Sequence, residues 1–170
     1  SGLMVVAKDR QTMDALVALI AARDVSRRYL ALAHKPWVGA EMQKVDAPIG
    51  RDPRNRLRMA AVDLAQHAGK EARTDITCWD STDQYCLVHC KLHTGRTHQI
   101  RVHMLSLGHP LVADSVYGGA QAPGIQRQAL HAYRLSFVHP MTGESLALSA
   151  EPPEDFLSAV HNLGLSYNKE

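Results

Sequence analysis

At 170 residues, 45% of them hydrophobic, the chain is long enough for one globular domain with a real core and too short for two ordinary ones. A formal net charge of +2 permits a nucleic-acid partner without arguing for one, so where the arginines lie matters more than their sum. Three cysteines without paired spacing (Cys78, Cys86, Cys90) disfavour a disulfide framework, and no signal peptide or bilayer-length apolar run is present, so a monomeric, cytoplasmic protein away from membranes is expected.

The opening SGLMVVAKD reads as a strand placed directly at the first residues, which gives the chain the look of a piece cut from something longer. QTMDALVALIAARDV follows with Met13, Leu16, Val17 and Ile20 at the spacing of an amphipathic helix packed on a sheet. SRRYLALAHK then alternates, with Tyr29, Ala31 and Ala33 on one face and Leu30, Leu32 and His34 on the other. From Trp37 to about Lys70 the chain is rich in Gly, Pro and charge. It holds RDPRNRLR, where Arg51, Arg54, Arg56 and Arg58 read first as a solvated loop or edge strand and second as phosphate contacts.

Strand signals return in ARTDITCWD and QYCLVHCKLH, separated by a polar turn at Asp80 to Asp83. In the second strand Cys86, Val88, Cys90 and Leu92 share a face, opposite Leu87, His89 and His93. The stretch HTGRTHQIRVHMLSLGHP carries a helix, which Thr97 can cap, Gly108 can end in a left-handed residue, and Pro110 forbids to continue. At ~100° per residue Ile100, Met104, Leu105 and Leu107 spread over a broad apolar side, while Gln99, His103 and Ser106 gather opposite. Arg101 falls between Met104 and Leu105, so its charge must snorkel to water or meet a carboxylate or phosphate. After the turn-rich HPLVADSVYGG, ALHAYRLSFVHP and ESLALSAEPP make a hairpin around Met141 to Gly143, and EDFLSAVHNLG a closing helix. Strands and helices mixed without strict alternation indicate an α+β fold with a mainly antiparallel sheet flanked by helices.

Cys86, Cys90, His93 and His98 are the obvious metal ligands, but the pleat turns both cysteines away from His93, so no metal site is expected. GxSxG, GxxxxGK[ST] and GxGxxG motifs are absent, which leaves nucleophilic-serine hydrolysis and nucleotide cofactors unsupported. What remains is a set of donors for phosphate or base edges at Arg96, His98, Gln99, Arg101 and His103, together with the ring of Tyr29 as a stacking surface for an unstacked base. RNA is the natural partner.

LHTGRTHQIRVHMLSLGHPLVADSVYG resembles the signature of RluA-type pseudouridine synthases, and RQALHAYRLSFVHPMTG resembles the stretch that follows it in that family. RRYLALAHK is similar to the family's tyrosine-bearing strand, and SGLMVVAKD to the second half of its catalytic motif. The resemblance runs from Ser1 to about Phe156 and implies isomerisation of uridine to pseudouridine in structured RNA, without metal or cofactor. It implies large-subunit ribosomal RNA first and transfer RNA second, with a non-catalytic RNA-binding module as the alternative. It assigns Tyr29 to packing on the flipped base, Leu130 to the apolar base pocket, and Arg101 to pairing with the catalytic aspartate. Asp114 matches a motif aspartate expected to be structural. The nucleophile of the family precedes the segment matched by Ser1, so residues 1–170 are expected to be a single domain, the later part of a catalytic domain lacking its upstream strands and inactive alone. Arg101 is then expected to turn to water, a bound anion or another acidic side chain, and its replacement by Met to leave stability unchanged or raised.

Overall fold

The computed structural model describes residues 1–167. In chain order its elements are α1 (Arg10–Ala21), β1 (Ser26–His34), β2 (Met42–Asp46), β3 (Ile49–Arg51), β4 (Met59–Ala61), β5 (Arg73–Ser81), β6 (Tyr85–Leu92), α2 (Gln99–Ser106), β7 (Leu130–Val138), β8 (Ser145–Ser149) and α3 (Glu154–Asn162), with a 3-10 turn at Ser115–Tyr117 after α2. Six strands form one sheet in the order β2-β5-β6-β1-β7-β8, every neighbouring pair antiparallel, and β3 and β4 form a separate ribbon. This is the expected α+β architecture.

The alternation read in SRRYLALAHK builds two cores. On one face of the sheet Ala31, Ala33, Cys86, Val88 and Cys90 meet Ile100 and Met104 of α2. On the other, Leu30, Leu32 and Leu87 meet Phe156, Ala159 and Val160 of α3. Leu30 and Leu32 are both 0% exposed, and burying such a side chain contributes ~1.5–3 kcal/mol. β1 is therefore the central plank on which both helices bear, and it carries Tyr29 near one end.

Two sequence expectations fail at the start of the chain. The opening run forms no strand: Gly2 makes a single parallel bridge to Ala132, and Met4 and Val6 are 84% and 74% exposed. Helix α1 forms, capped by Asp9, whose carboxylate accepts from the Thr12 N–H at 2.7 Å, but none of its residues is buried. The apolar stripe that periodicity assigned to sheet packing leaves Met13 and Val17 exposed, because the run beside it supplies no sheet edge for them to cover. No helix among the described residues is long and apolar enough to cross a membrane.

Candidate functional site

Helix α2 is where the site is built. Gly108 follows Leu107 with φ +87° and ends the helix as anticipated. The start differs: the cap position is His98, in the left-handed region with φ 56° and ψ 24°, and no side chain caps it, so Thr97 has no such role. Order at this end comes from Gln99 instead. Its Oε1 accepts from the Thr94 hydroxyl (2.7 Å) and the Arg96 N–H (3.0 Å), and its Nε2 donates to the Arg73 carbonyl and Thr74 Oγ1, both at 2.9 Å.

Arg101 has a partner inside the chain. Its Nε and Nη2 donate to Asp114 Oδ2 and Oδ1, each at 2.8 Å, and the side chains are 11% and 1% exposed. The guanidinium also lies over the Tyr117 ring, 4.9 Å from its centroid. Of water, a bound anion or another acidic side chain, the structure gives Arg101 the last, and so complete a pair argues against the expectation that Arg101→Met is harmless. The physical reason lies in the turn after α2, where Ala113 at φ 60° and the 3-10 turn swing Asp114 and Tyr117 back against the helix. Asp114 has the structural role expected of it.

Tyr117, 2% exposed, ties this pair to the basic loop. Its hydroxyl accepts from the Met59 N–H at 3.0 Å and lies 2.8 Å from His98 Nδ1. Arg58 approaches the same ring at 5.9 Å while its Nε donates to Asp52 Oδ2 at 2.8 Å. Asp52, held by the Arg54 N–H and by Arg58, has its carboxyl lowered below the usual range. His98 is also pushed down, by burial first and then by the positive charges of Arg101 and Arg51, with Asp114 opposing. Of the four loop arginines, Arg58 packs against Tyr117 and donates to the Val116 carbonyl, while Arg51 Nη1 donates to the Arg56 carbonyl at 3.4 Å. Arg51, Arg54 and Arg56 are exposed, whereas Arg58 is engaged in structure.

Tyr29 and Leu130 lie on the sheet face that bears α2. In register Leu130 stands opposite Ala31 and Ala132 opposite Tyr29, and both Tyr29 and Leu130 are half-buried against the α2-side core together with Leu107. A cavity of about 240 Å³ is lined by Leu3, Met4, Val5, Arg27, Tyr29 and Ala132 among others. Arg96, half-buried, donates from Nε to the Glu71 carbonyl at 2.8 Å.

Gln99 and His103, expected to face RNA, point inward and have no surface to offer: they are 3% and 0% exposed. His103 Nδ1 lies 2.8 Å from Thr74 Oγ1 and its Nε2 lies 2.9 Å from the Ala47 carbonyl. The carbonyl requires an N–H at Nε2, so Nδ1 accepts from the Thr74 hydroxyl, which in turn accepts from Gln99. Burial pushes the His103 pKa below its ordinary 6.5. A lowered histidine leaves the unfolded chain the better proton binder, so stability is present above 6.5 and lost as pH falls through the folded value. The melting temperature should therefore decline as pH drops below 6.5, and His103→Gln should flatten that decline.

The cysteines and histidines weighed as metal ligands do not converge. Cys86 and Cys90 are buried in the α2-side core, where burial pushes the Cys86 thiol up to about 12 and raises Cys90 as well. His93 Nε2 sits 2.7 Å from Asp75 Oδ2, and His98 is taken up by Tyr117. Among the described residues no three His, Cys, Asp or Glu side chains are grouped to hold a metal ion.

Residues 1–106 match a family model described as RNA pseudouridylate synthase. The ribosomal large subunit pseudouridine synthase D of Nitrosomonas europaea is 44% identical over 146 residues, covering 79% of this chain and 40% of its own length. An uncharacterized RNA pseudouridine synthase of Bacillus subtilis, YlyB, is 40% identical over 163 residues, covering 96% of this chain and 52% of its own length. This chain thus spans about two fifths to one half of the length of these two relatives. Among solved structures, human RNA Pseudouridylate Synthase Domain Containing 1 superposes with a TM-score of 0.69 at 28% identity, over 87% of this chain and 63% of its own. Human RNA Pseudouridylate Synthase Domain Containing 4, at 24% identity, shares the fold with a TM-score of 0.73 over 98% of this chain and 72% of its own.

Proposed function

This chain belongs to the RNA pseudouridylate synthase family, and from that membership we propose that it forms the base-holding part of an enzyme that isomerises uridine to pseudouridine in structured RNA. The preferred substrate is large-subunit ribosomal RNA, in keeping with the name of the Nitrosomonas relative, and transfer RNA comes second. In the reaction the C1′–N1 glycosidic bond breaks, the base turns, C1′ bonds to C5, the C5 proton leaves and N1 gains a proton. No electrons are exchanged, so the isomerisation balances without a redox cofactor.

The observation that carries this reading is the joint position of Tyr29 and Leu130 on the sheet face under α2, with Tyr29 also lining a cavity. Tyr29 offers its ring to the flipped uracil, a stacking contact that contributes ~1–3 kcal/mol per base, and Leu130 supplies an apolar wall. Arg101 presents to the nucleophilic carboxylate the side of its guanidinium that Asp114 leaves, since Asp114 takes Nε and Nη2. None of the chain's own aspartates is assigned as that nucleophile, and Asp114, 1% exposed at its side chain and committed to Arg101, is unsuited to it. The protein acts as a monomer in the cytoplasm.

Arg51, Arg54 and Arg56 form the exposed rim that meets the RNA backbone, with Arg96 and His98 nearer the base. Replacing each rim arginine with Ala should weaken RNA binding and flatten the slope of log K against log salt by roughly 0.7–0.9 per lost phosphate contact. Arg58→Ala should act mainly on stability, because it frees the buried Asp52. Fluorescence titration of a uridine-containing RNA stem-loop across salt concentrations checks both, and an unchanged slope in all three rim variants would return the loop to a merely solvated one. A module that only binds RNA would show the same salt response and produce no pseudouridine.

A further inference from the structure

Arg27 stands two residues before Tyr29 on β1, and its charge is unanswered. Among the described residues its Nε is buried without a hydrogen-bond partner and no carboxylate forms an ion pair with the guanidinium. Burial pushes its pKa down from the ordinary 12.5, with the Tyr29 phenol the countervailing influence. The residue as a whole is half-buried, so its Nε is left unpaired while the rest of the fork remains open to an anion.

The surroundings are shaped around this group. Gly95, in the turn between β6 and α2, lies so close that a Cβ there would overlap Nη1 of Arg27 and stand 3.3 Å from its Cζ. The absence of a side chain at Gly95 is therefore what lets the guanidinium occupy its place. Arg27 and Tyr29 border the same cavity of about 240 Å³, with Leu3, Val5 and Ala132 as apolar walls and Arg134 as a second cation at its edge. Two residues along a strand span ~7 Å, the scale of the distance from a base to its own phosphate. A planar guanidinium suits bidentate contact with two oxygens of a phosphodiester.

Resting on the reading of Tyr29 as the support of the target base, we propose that Arg27, cradled by Gly95, is a subsite for the RNA phosphodiester adjoining the target uridine. The site discriminates a nucleotide held within a strand from a free nucleoside. It adds a contact in the floor of the base site that is separate from the arginine loop at Arg51 to Arg58.

The test compares uridine, the dinucleotide UpU and inorganic phosphate as ligands of the 170-residue chain, read by NMR on the Arg27 Nε–H signal and by titration. UpU should shift that signal, and uridine should not. Arg27→Gln should weaken UpU binding about tenfold or more, as expected for loss of a charged hydrogen-bond pair, with uridine affinity unchanged. Arg27→Lys should restore part of it. Gly95→Ala keeps every charge but displaces the guanidinium, and should weaken UpU in the same way, while Arg10→Gln on the exposed face of α1 should not. The subsite is overturned if UpU does not bind, if Arg27→Gln leaves UpU affinity unchanged, or if it weakens uridine equally. It is also overturned if inorganic phosphate shifts the signal as strongly as UpU, which would mark a free-anion site. Pseudouridine formation by a longer protein containing this chain separates the two readings: with formation intact and UpU indifferent to Arg27, only the subsite fails, and with no formation the proposed function fails.

Discussion

Arg101→Met is expected to destabilise this chain by ~3–5 kcal/mol, the typical cost of removing one member of a buried charge pair. The arginine satisfies both oxygens of Asp114, whose side chain is 1% exposed, so the substitution strands a carboxylate with no other side-chain donor among the described residues. It also removes the cation over the Tyr117 ring. At roughly 2–4 °C per kcal/mol for a chain of this size, the melting temperature should fall by about 6–20 °C. The double variant Arg101→Met with Asp114→Leu should recover most of that loss, since an apolar pair of similar volume is often as stable as the ion pair it replaces. Differential scanning calorimetry of the single and double variants decides the matter. A single variant as stable as the parent would mean that the pair contributes nothing.

Five of the sheet's six strands were legible because they have one dominant period, whereas β2, in the segment rich in Gly, Pro and charge, was not. Alternation in SRRYLALAHK and QYCLVHCKLH assigned each side chain to its face, and β1 and β6 bury those faces against different helices as the pattern requires. The final hairpin around Met141 to Gly143 and the closing helix were legible for similar reasons: turn residues and periodicity agree. Helix α2 was legible in place but not in orientation. Its eight residues are covered on nearly every side, so Gln99 and His103, polar by composition, are buried in hydrogen bonds to Thr74 and Ala47. Periodicity separates polar from apolar, and only tertiary packing decides whether a polar face meets water.

The Arg101 pair was within reach of the sequence. A cation on an apolar arc needs a carboxylate, and Asp114 stands in the turn-rich segment that follows the helix. The resemblance pairs Arg101 with an aspartate that precedes the segment matched by Ser1 and so does not single out this nearer carboxylate. Arg27 was invisible at that level, because its lack of a partner and its fit against Gly95 depend on which residues the sheet and the following turn bring together.

The second large effect concerns catalysis in a longer protein that contains this chain. Arg101→Lys keeps the charge but loses the planar fork that can serve Asp114 and a second carboxylate together, and should lower isomerisation by roughly 10²–10³-fold, the scale of a lost preorganised donor. Tyr29→Leu, which keeps apolar bulk and removes the ring, should lower it by roughly 5–150-fold, equivalent to ~1–3 kcal/mol of stacking. The two act on different steps. Tyr29→Leu should weaken capture of the flipped base, and Arg101→Lys should slow the chemistry once the base is in place.

The most direct measurement is release of tritium from RNA carrying uridine labelled at C5 together with pseudouridine formation, since bonding C5 to the sugar expels the label in equal amount. The longer protein should release tritium and form pseudouridine in equal amounts, and the Arg101→Lys and Tyr29→Leu variants should retain RNA binding while release falls by the factors above. Tight RNA binding by the unaltered protein without release, or release indifferent to both substitutions, would contradict the assignment of this face to uridine isomerisation.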